Sequence, residues 1–133
     1  MKSYDIDNLE KCVFFENLTD EEFKIVISLF PPAVKDFNKG EIVVRQGFEM
    51  EKIGILLTGK TTSNKYHFNG DEQLLQVKKK GDVIGLEAVT SSFSTSPCMV
   101  IAEEYCLIAI ISYREILRSE NISTKCRNKL YNN

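Results

Sequence analysis

The chain has 133 residues, of which 43% are apolar and 27% are charged, and its formal net charge is −2. This size and composition are typical of one globular domain and exclude disordered, collagen-like and low-complexity classes. The 17 basic residues do not exceed the 19 acidic ones, so the chain has no positive surplus for a row of phosphates and is not expected to bind nucleic acid directly.

Two features of the sequence bear on its location. The longest apolar run, residues 105–111, falls far short of the ~18–20 residues that cross a bilayer. The N-terminal segment carries acidic residues where a signal peptide would be apolar. We therefore expect a cytoplasmic protein without a membrane partner.

Cysteine and histidine are the residues that most often hold metals. Cys12, Cys98, Cys106 and Cys126 are scattered without a CxxC pair, and His67 is the single histidine. Zinc and iron–sulfur sites need closely spaced ligands, so no metal or cofactor is expected. The cysteines are interpreted as small buried hydrophobes with one or two exposed thiols.

The first strong local signal is a helix near residue 20. Thr19 and Glu22 have the spacing of a capping box, in which each side chain bonds the other residue's backbone amide. One apolar stripe follows at helical spacing: Phe23, Val26, Ile27 and Phe30. Because proline lacks the amide proton, Pro31 and Pro32 end this helix, which is predicted to lie on the core of another element.

Beyond residue 33, glycines separate short runs rich in β-forming residues. Short strands with turn signals about every ten residues favour a sandwich or barrel over alternating β/α units. The predicted strands are residues 41–45, 52–57, 60–68, 73–77, 99–102 and 105–111. The last one is apolar on both faces and is therefore expected to be central.

Asn69-Gly70 predicts a tight hairpin, because this pair favours a two-residue type I′ turn. Such a turn would pair Phe68 with Asp71, His67 with Glu72 and Tyr66 with Gln73. The predicted core face then carries Tyr66, Phe68, Leu75 and Val77.

The segment after residue 111 predicts a second helix. Ser112 and Glu115 have capping-box spacing. Past a polar break at residues 119–121, an apolar stripe can resume with Ile122, Cys126 and Leu130.

Several short motifs follow one another along the chain: FFENLT at 14–19, KGEIVVRQG at 39–47, ILLTGK at 55–60, KGDVIG at 80–85 and ISY at 111–113. In this order they resemble the effector domain of the Crp/Fnr superfamily, which has the cyclic-nucleotide-binding fold. The resemblance covers residues 40–116 closely and extends over most of the chain. It implies a mainly β fold: a double-stranded β-helix jelly roll with short flanking helices and one ligand pocket.

The resemblance also implies where a nucleotide would bind, and this chain departs from the family there. Family members that bind cyclic nucleotides carry a glutamate directly after the glycine equivalent to Gly85. Eleven positions after that glycine they carry an arginine, and a small hydroxyl residue or alanine follows it. Gapless matching puts Leu86 at the glutamate position, Ser96 at the arginine position and Pro97 at the position after it. Glu87 stands one residue late, on the opposite face if the backbone is extended.

The candidate ligand-binding residues are therefore Gly85, Leu86, Glu87, Ala88, Thr95, Ser96 and Pro97. One interpretation is a pocket rebuilt for a less anionic effector, with Leu86 as an apolar wall and the Thr95 and Ser96 hydroxyls as orienting groups. The other is a polar loop over a collapsed pocket. The motif also resembles a variant found in Crp/Fnr regulators of anaerobic firmicutes, whose effectors are mostly not cyclic nucleotides.

The resemblance predicts a regulator rather than an enzyme. Residues 1–111 would form the effector-sensing domain, and residues 112–133 would begin a dimerisation helix that is cut short. The expected partners are an unknown small-molecule effector, a second copy in the full-length protein, and DNA through a C-terminal domain absent here. A free-standing module that regulates a partner protein is the alternative. A metal-dependent jelly-roll enzyme is disfavoured because one histidine cannot form the metal site.

Overall fold

Two antiparallel four-stranded sheets form the body of the protein. The structure, a computed structural model, describes residues 3–90 and 95–131, with side chains from residue 6 onward. The first sheet has the strand order β1-β8-β3-β6 and the second has the order β2-β7-β4-β5. The strands are β1 (Ala33–Phe37), β2 (Ile42–Val44), β3 (Ile53–Thr58), β4 (Thr61–Tyr66), β5 (Glu72–Lys78), β6 (Val83–Ile84), β7 (Met99–Ala102) and β8 (Cys106–Ile111). The predicted mainly β jelly roll is confirmed.

Short helices flank the sheets. The predicted capping box is present, with the Glu22 amide 3.1 Å from Thr19 Oγ1 and the Thr19 amide 2.9 Å from Glu22 Oε1. This box begins α2 (Asp20–Leu29), which buries Phe23 and Val26 and ends before the two prolines as predicted. The other helical elements are α1 (Ser3–Glu10), a 3₁₀ turn (Val13–Phe15), α3 (Leu86–Thr90), α4 (Tyr113–Arg118) and α5 (Thr124–Tyr131).

Strand β8 separates two hydrophobic clusters. Ala109 and Ile111 join the helix-side core, where the first sheet packs against the helices. Cys106 and Ile108 join the inter-sheet core, which lies between the two sheets. Because β8 pairs with β1 on one side and β3 on the other, its prediction as a central strand is confirmed. All four cysteines are free and buried, so the expectation of one or two exposed thiols is wrong.

The predicted hairpin register is wrong by one residue. Tyr66 pairs with Glu72, and the His67 amide donates to the Asp71 carbonyl at 2.9 Å, which leaves a three-residue loop. The Asn69 side chain accepts from the Asp71 amide at 3.0 Å and so stabilises this wider loop. His67 therefore does not face Glu72, and its Nε2 lies 3.3 Å from Gln73 Oε1.

The predicted core face of this hairpin is exposed. β5 is an edge strand, so it has a neighbour on one side only. The exposed fractions are 39% for Tyr66, 113% for Phe68, 44% for Leu75 and 42% for Val77. The inner positions of the hairpin belong instead to β4, which contributes the buried residues Thr61, Ser63 and Asn64. The alternation of apolar and polar residues predicted the two strands of this hairpin, but it did not predict which face would lie against the core.

The C-terminal segment forms two short helices rather than one. Ser112 makes no side-chain cap bond, so the second predicted capping box is absent, and α4 ends after Arg118. Ser123 Oγ accepts the Cys126 amide at 3.1 Å at the start of α5. The predicted apolar stripe exists, but it packs into the chain's own helix-side core: Ile122, Cys126 and Leu130. Whether this segment also dimerises stays a prediction.

One ion pair joins α5 to α2. Lys129 Nζ lies 2.6 Å from Glu22 Oε1, and the two side chains are 25% and 19% exposed. The Lys129 ammonium, followed by the Thr19 amide, lowers the pKa of Glu22 below its ordinary value of 4.5. Since a lowered pKa stabilises the folded state only while the carboxylate is charged, this contribution is present above the ordinary pKa and is lost as the pH falls through the folded pKa.

We expect a double-mutant cycle of Glu22→Gln and Lys129→Met to give a coupling of about 0.3–1 kcal/mol at neutral pH. The coupling should decrease as the pH falls through the lowered folded pKa of Glu22, because protonation removes the charge of the carboxylate. Urea unfolding followed by circular dichroism measures both quantities. Additive effects at neutral pH, or a coupling that persists in acid, would contradict the pairing.

Candidate functional site

The predicted ligand site lies between β6 and β7. Gly85 directly follows β6 and is buried beneath Met50, since a Cβ added at Gly85 would lie 2.5 Å from Met50 Cε. The Val89 amide bonds the Gly85 carbonyl at 3.1 Å and closes the first turn of α3. A glycine at this position therefore lets the loop between β2 and β3 approach the start of α3.

The segment after Gly85 is helical, so the expectation for Glu87 on an extended backbone does not apply. Leu86 is half-buried against the helix-side core, Glu87 is exposed and Ala88 is buried. Leu86 therefore contributes to the domain core rather than to the space between the sheets. The Val89 carbonyl accepts Arg114 Nη2 at 2.9 Å, which ties α3 to α4.

Ser96 occupies the position at which cyclic-nucleotide binders carry arginine. It is 5% exposed, and its hydroxyl donates to the Cys98 carbonyl at 2.7 Å. Its backbone is held by the loop between β2 and β3, with the Ser96 amide 3.0 Å from the Phe48 carbonyl and the Gly47 amide 2.8 Å from the Ser96 carbonyl. The one hydroxyl proton is thus already used within the loop, and the side chain carries no charge.

The remaining predicted site residues line the surface next to Ser96. Thr95 is half-buried and forms an isolated β-bridge with Glu49, while Pro97 is exposed. The hydroxyl-rich stretch at 91–94 lies outside the described residues. Of the seven candidates, the structure therefore exposes Glu87 and Pro97, half-buries Leu86 and Thr95, and buries Gly85, Ala88 and Ser96.

Sequence reasoning missed a polar patch on β4. Thr61, Ser63 and Asn64 are 0%, 6% and 9% exposed, although each carries a polar side chain. Thr61 Oγ1 has no hydrogen-bond partner, and such a group costs free energy when buried. The run of hydroxyl and amide residues at 61–64 was the one sign of this patch in the sequence. While the pairing of β4 with β5 and β7 was unknown, such a run indicated only a surface strand.

The titratable groups of the described residues do not indicate catalytic chemistry. Burial raises the pKa of the Cys12, Cys106 and Cys126 thiols, and this favours the unreactive protonated form. Within the ranges 3–90 and 95–131, histidine, cysteine and acidic residues form no cluster of three that could hold a metal ion. The same part of the chain contains no helix that is long and apolar enough to cross a membrane.

The family model described as the cyclic nucleotide-binding domain matches residues 34–119. The chain belongs to the cyclic nucleotide-binding domain family. This match spans the two sheets, the segment between β6 and β7, and α4. A search of the curated proteins finds no significant match.

Solved structures share this family's fold at low sequence identity. A regulatory subunit of a cAMP-independent protein kinase A from Trypanosoma brucei is 20% identical, with a TM-score of 0.74 over 96% of this chain and 43% of its own. The N-terminal domain of a transcriptional regulator from Streptomyces coelicolor is 16% identical, with a TM-score of 0.77 over 95% of this chain and 86% of its own.

A third similar structure is the sensor domain of the transcriptional regulator DNR from Pseudomonas aeruginosa. It is 18% identical, with a TM-score of 0.76 over 93% of this chain and 81% of its own. A mutant of the Trypanosoma subunit with three substitutions, one of them threonine to arginine, is bound to cAMP in its A site. This chain spans less than half of that kinase subunit. These neighbours are regulatory or sensor domains.

Proposed function

We propose that this chain is the effector-sensing domain of a Crp/Fnr-type transcription regulator, that it is not an enzyme, and that it responds in the cytoplasm to a small molecule other than cAMP. The observation that carries the proposal is Ser96, an uncharged and internally bonded residue at the arginine position of a cyclic-nucleotide-binding fold. The firmicute-type variant noted in the sequence fits the same interpretation.

The energetic argument concerns two missing charge-assisted hydrogen bonds. Leu86 replaces the acceptor for the ribose hydroxyl, and Ser96 replaces the cation for the cyclic phosphate. Such bonds contribute roughly 1.5–3 kcal/mol each, so the loss of both weakens the binding of a cyclic nucleotide by about 100-fold or more. The exposed Glu87 carboxylate adds repulsion for an approaching phosphate.

The Trypanosoma kinase subunit offers a parallel. That protein is described as cAMP-independent, and its cAMP-bound mutant gained an arginine. This parallel supports the proposal that serine in place of arginine at position 96 removes cyclic-nucleotide binding from the present chain.

Titration calorimetry with cAMP and cGMP tests the proposal. We expect no saturable heat at micromolar concentrations, and a Kd below ~10 μM would contradict the proposal. The triple variant L86E/S96R/P97A restores the family residues and is expected to bind cAMP at least 100-fold more tightly than the native chain. The variant L86E/S96K/P97A is the matched control, because lysine supplies the charge without the bidentate geometry of arginine and should restore less.

The proposed mechanism is a population shift that reaches the C-terminal helices. The Arg114–Val89 hydrogen bond supports it, because it connects α3, at the site, directly to α4. In the full-length protein, effector binding would reposition the segment that follows and the DNA-binding domain of a homodimer.

A second candidate function is a module that regulates a partner protein, which the similarity to a protein kinase regulatory subunit favours. The reading frame beyond Asn133 distinguishes the two. Heptads followed by a helix-turn-helix support the transcription regulator. A stop codon directly after Asn133 supports the module.

A further inference from the structure

A cavity of about 940 Å³ opens between the two sheets, at the end formed by β1, β2 and the start of β3. None of the seven predicted site residues lines it. Its volume lies within the range of about 300–1,000 Å³ that small-molecule pockets occupy. The cavity is therefore large enough for a ligand, and it borders the segment that would hold a nucleotide, since its lining residue Met50 packs against Gly85.

The floor of the cavity is apolar, because Gly54 is flanked there by Ile84, Ile108 and Ile110. Gly54 pairs with Ile110 on β8 and with Ile84 on β6. A Cβ at Gly54 would lie 2.8 Å from Ile108 Cγ2 and 3.8 Å from Ile84 Cβ, whereas Leu56, two residues along the same face, is fully buried. The side chain of Ile108 therefore already covers the backbone of Gly54, and the aliphatic residues around Gly54 form the apolar wall of the cavity.

The rim carries balanced charges. Lys35 and Lys52 lie on it together with Glu49 and Glu51. Lys35 shares its face of β1 with Phe37, and its Nζ lies 5.8 Å from the centre of the Phe37 ring, at the edge of the apolar floor. Among the residues described here the one ion pair is Lys129–Glu22, so neither rim lysine has a carboxylate partner.

We propose that this cavity binds an aliphatic monocarboxylic acid, with its chain over the sheet face formed by Gly54 and Ile110 and its carboxylate at Lys35. An unpaired ammonium beside an apolar floor attracts a ligand that has one negative end and an apolar body. The two rim glutamates repel polyanions such as nucleotides, so the cavity favours a ligand that carries a single negative charge. This inference concerns a second site and does not rest on what the domain regulates.

The test is a ¹H–¹⁵N titration of the whole chain with decanoate, and with decylamine and hexanoate as headgroup and chain-length controls. We expect the largest saturable shifts at residues 35–37, 50–54 and 108–110, and smaller ones at 85–88 and 95–98, which only border the cavity. Decanoate should bind at least about fivefold more tightly than either control, because it alone supplies both the charge and the apolar area.

Three variants localise the site. Gly54→Ala and Ile110→Phe add side-chain volume at the cavity floor, and each is expected to weaken the binding of decanoate at least tenfold. If G54A fails to fold, I110F still provides the test, because Ile110 is only half-buried and tolerates a larger side chain. Lys35→Met should abolish the preference for decanoate over decylamine while the apolar contacts remain. Lys65→Met removes an exposed lysine that does not line the cavity, so it is the matched control for Lys35→Met and should leave decanoate binding unchanged. Absent or non-saturable shifts, shifts confined to β5, stronger binding of decylamine, or full binding by both filled variants would overturn the proposal.

Discussion

Replacing Leu130 by alanine is expected to lower the free energy of unfolding by about 2–5 kcal/mol. Leu130 is fully buried on α5, in the helix-side core that also contains Tyr113 and Ile116. The Tyr113 hydroxyl lies 3.4 Å from the Leu130 carbonyl, so the two C-terminal helices are also joined by a polar contact. Truncation leaves a cavity that the surrounding side chains can close only in part. Urea unfolding followed by circular dichroism measures the loss.

Tyr131→Ala is the matched control for this prediction. Tyr131 is the next residue of the same helix and is 63% exposed, so its truncation should change the stability by less than about 0.5 kcal/mol. The pair tests whether α5 belongs to the folded domain or is the free start of a dimerisation helix. An L130A variant as stable as Y131A would show that α5 is not packed on the core and is available to a second copy.

Gly59→Ala is expected to destabilise the protein by about 3 kcal/mol or more. Gly59 lies between β3 and β4 with φ +97°, a left-handed conformation that costs an L-residue roughly 1–2 kcal/mol. The added Cβ would also lie 2.5 Å from the Tyr105 carbonyl oxygen and 2.9 Å from Cys106 Cα. Because these are backbone atoms, no side-chain rotation relieves the overlap, and overpacking typically adds about 1–3 kcal/mol.

Gly70→Ala separates the two causes. Gly70 has nearly the same φ, +90°, but a Cβ there would meet nothing within 4 Å. We expect a loss of about 1 kcal/mol, the conformational part alone. Thermal and urea unfolding of both variants measure the difference. Equal losses would mean that the corner between β3 and β4 yields to a side chain and that the close approach of β8 does not constrain it.

Local signals in the sequence predicted the elements whose causes are local. The capping box at Thr19 and the two prolines determine the ends of α2, because each acts on backbone groups only a few residues away. The apolar residues on both faces of β8 predicted its central position, since only a strand that is buried on both faces requires apolar side chains at successive positions. β6 escaped prediction because two residues are too few to show a period, and β1 escaped because four of its five residues are exposed and show no buried face.

Signals of the same kind failed where a distant partner decides the outcome. Asn69-Gly70 predicted a two-residue turn, yet the side chain of Asn69 and the exposed edge position of β5 produce a wider loop and an uncovered face. The spacing of Ser112 and Glu115 resembles a capping box, but the hydrogen bond depends on the approach of the chain from β8, and this geometry does not allow it.

The candidate site shows the same division. The order of short motifs was sufficient to predict the jelly roll, and the residue types at positions 86 and 96 were sufficient to predict a lost acceptor and a lost cation, because charge belongs to the residue itself. The partner of the Ser96 hydroxyl, the docking of α5 and the space beside Gly54 were decided by tertiary structure. Each of these depends on atoms that are distant in sequence, and folding alone brings them within reach of one another.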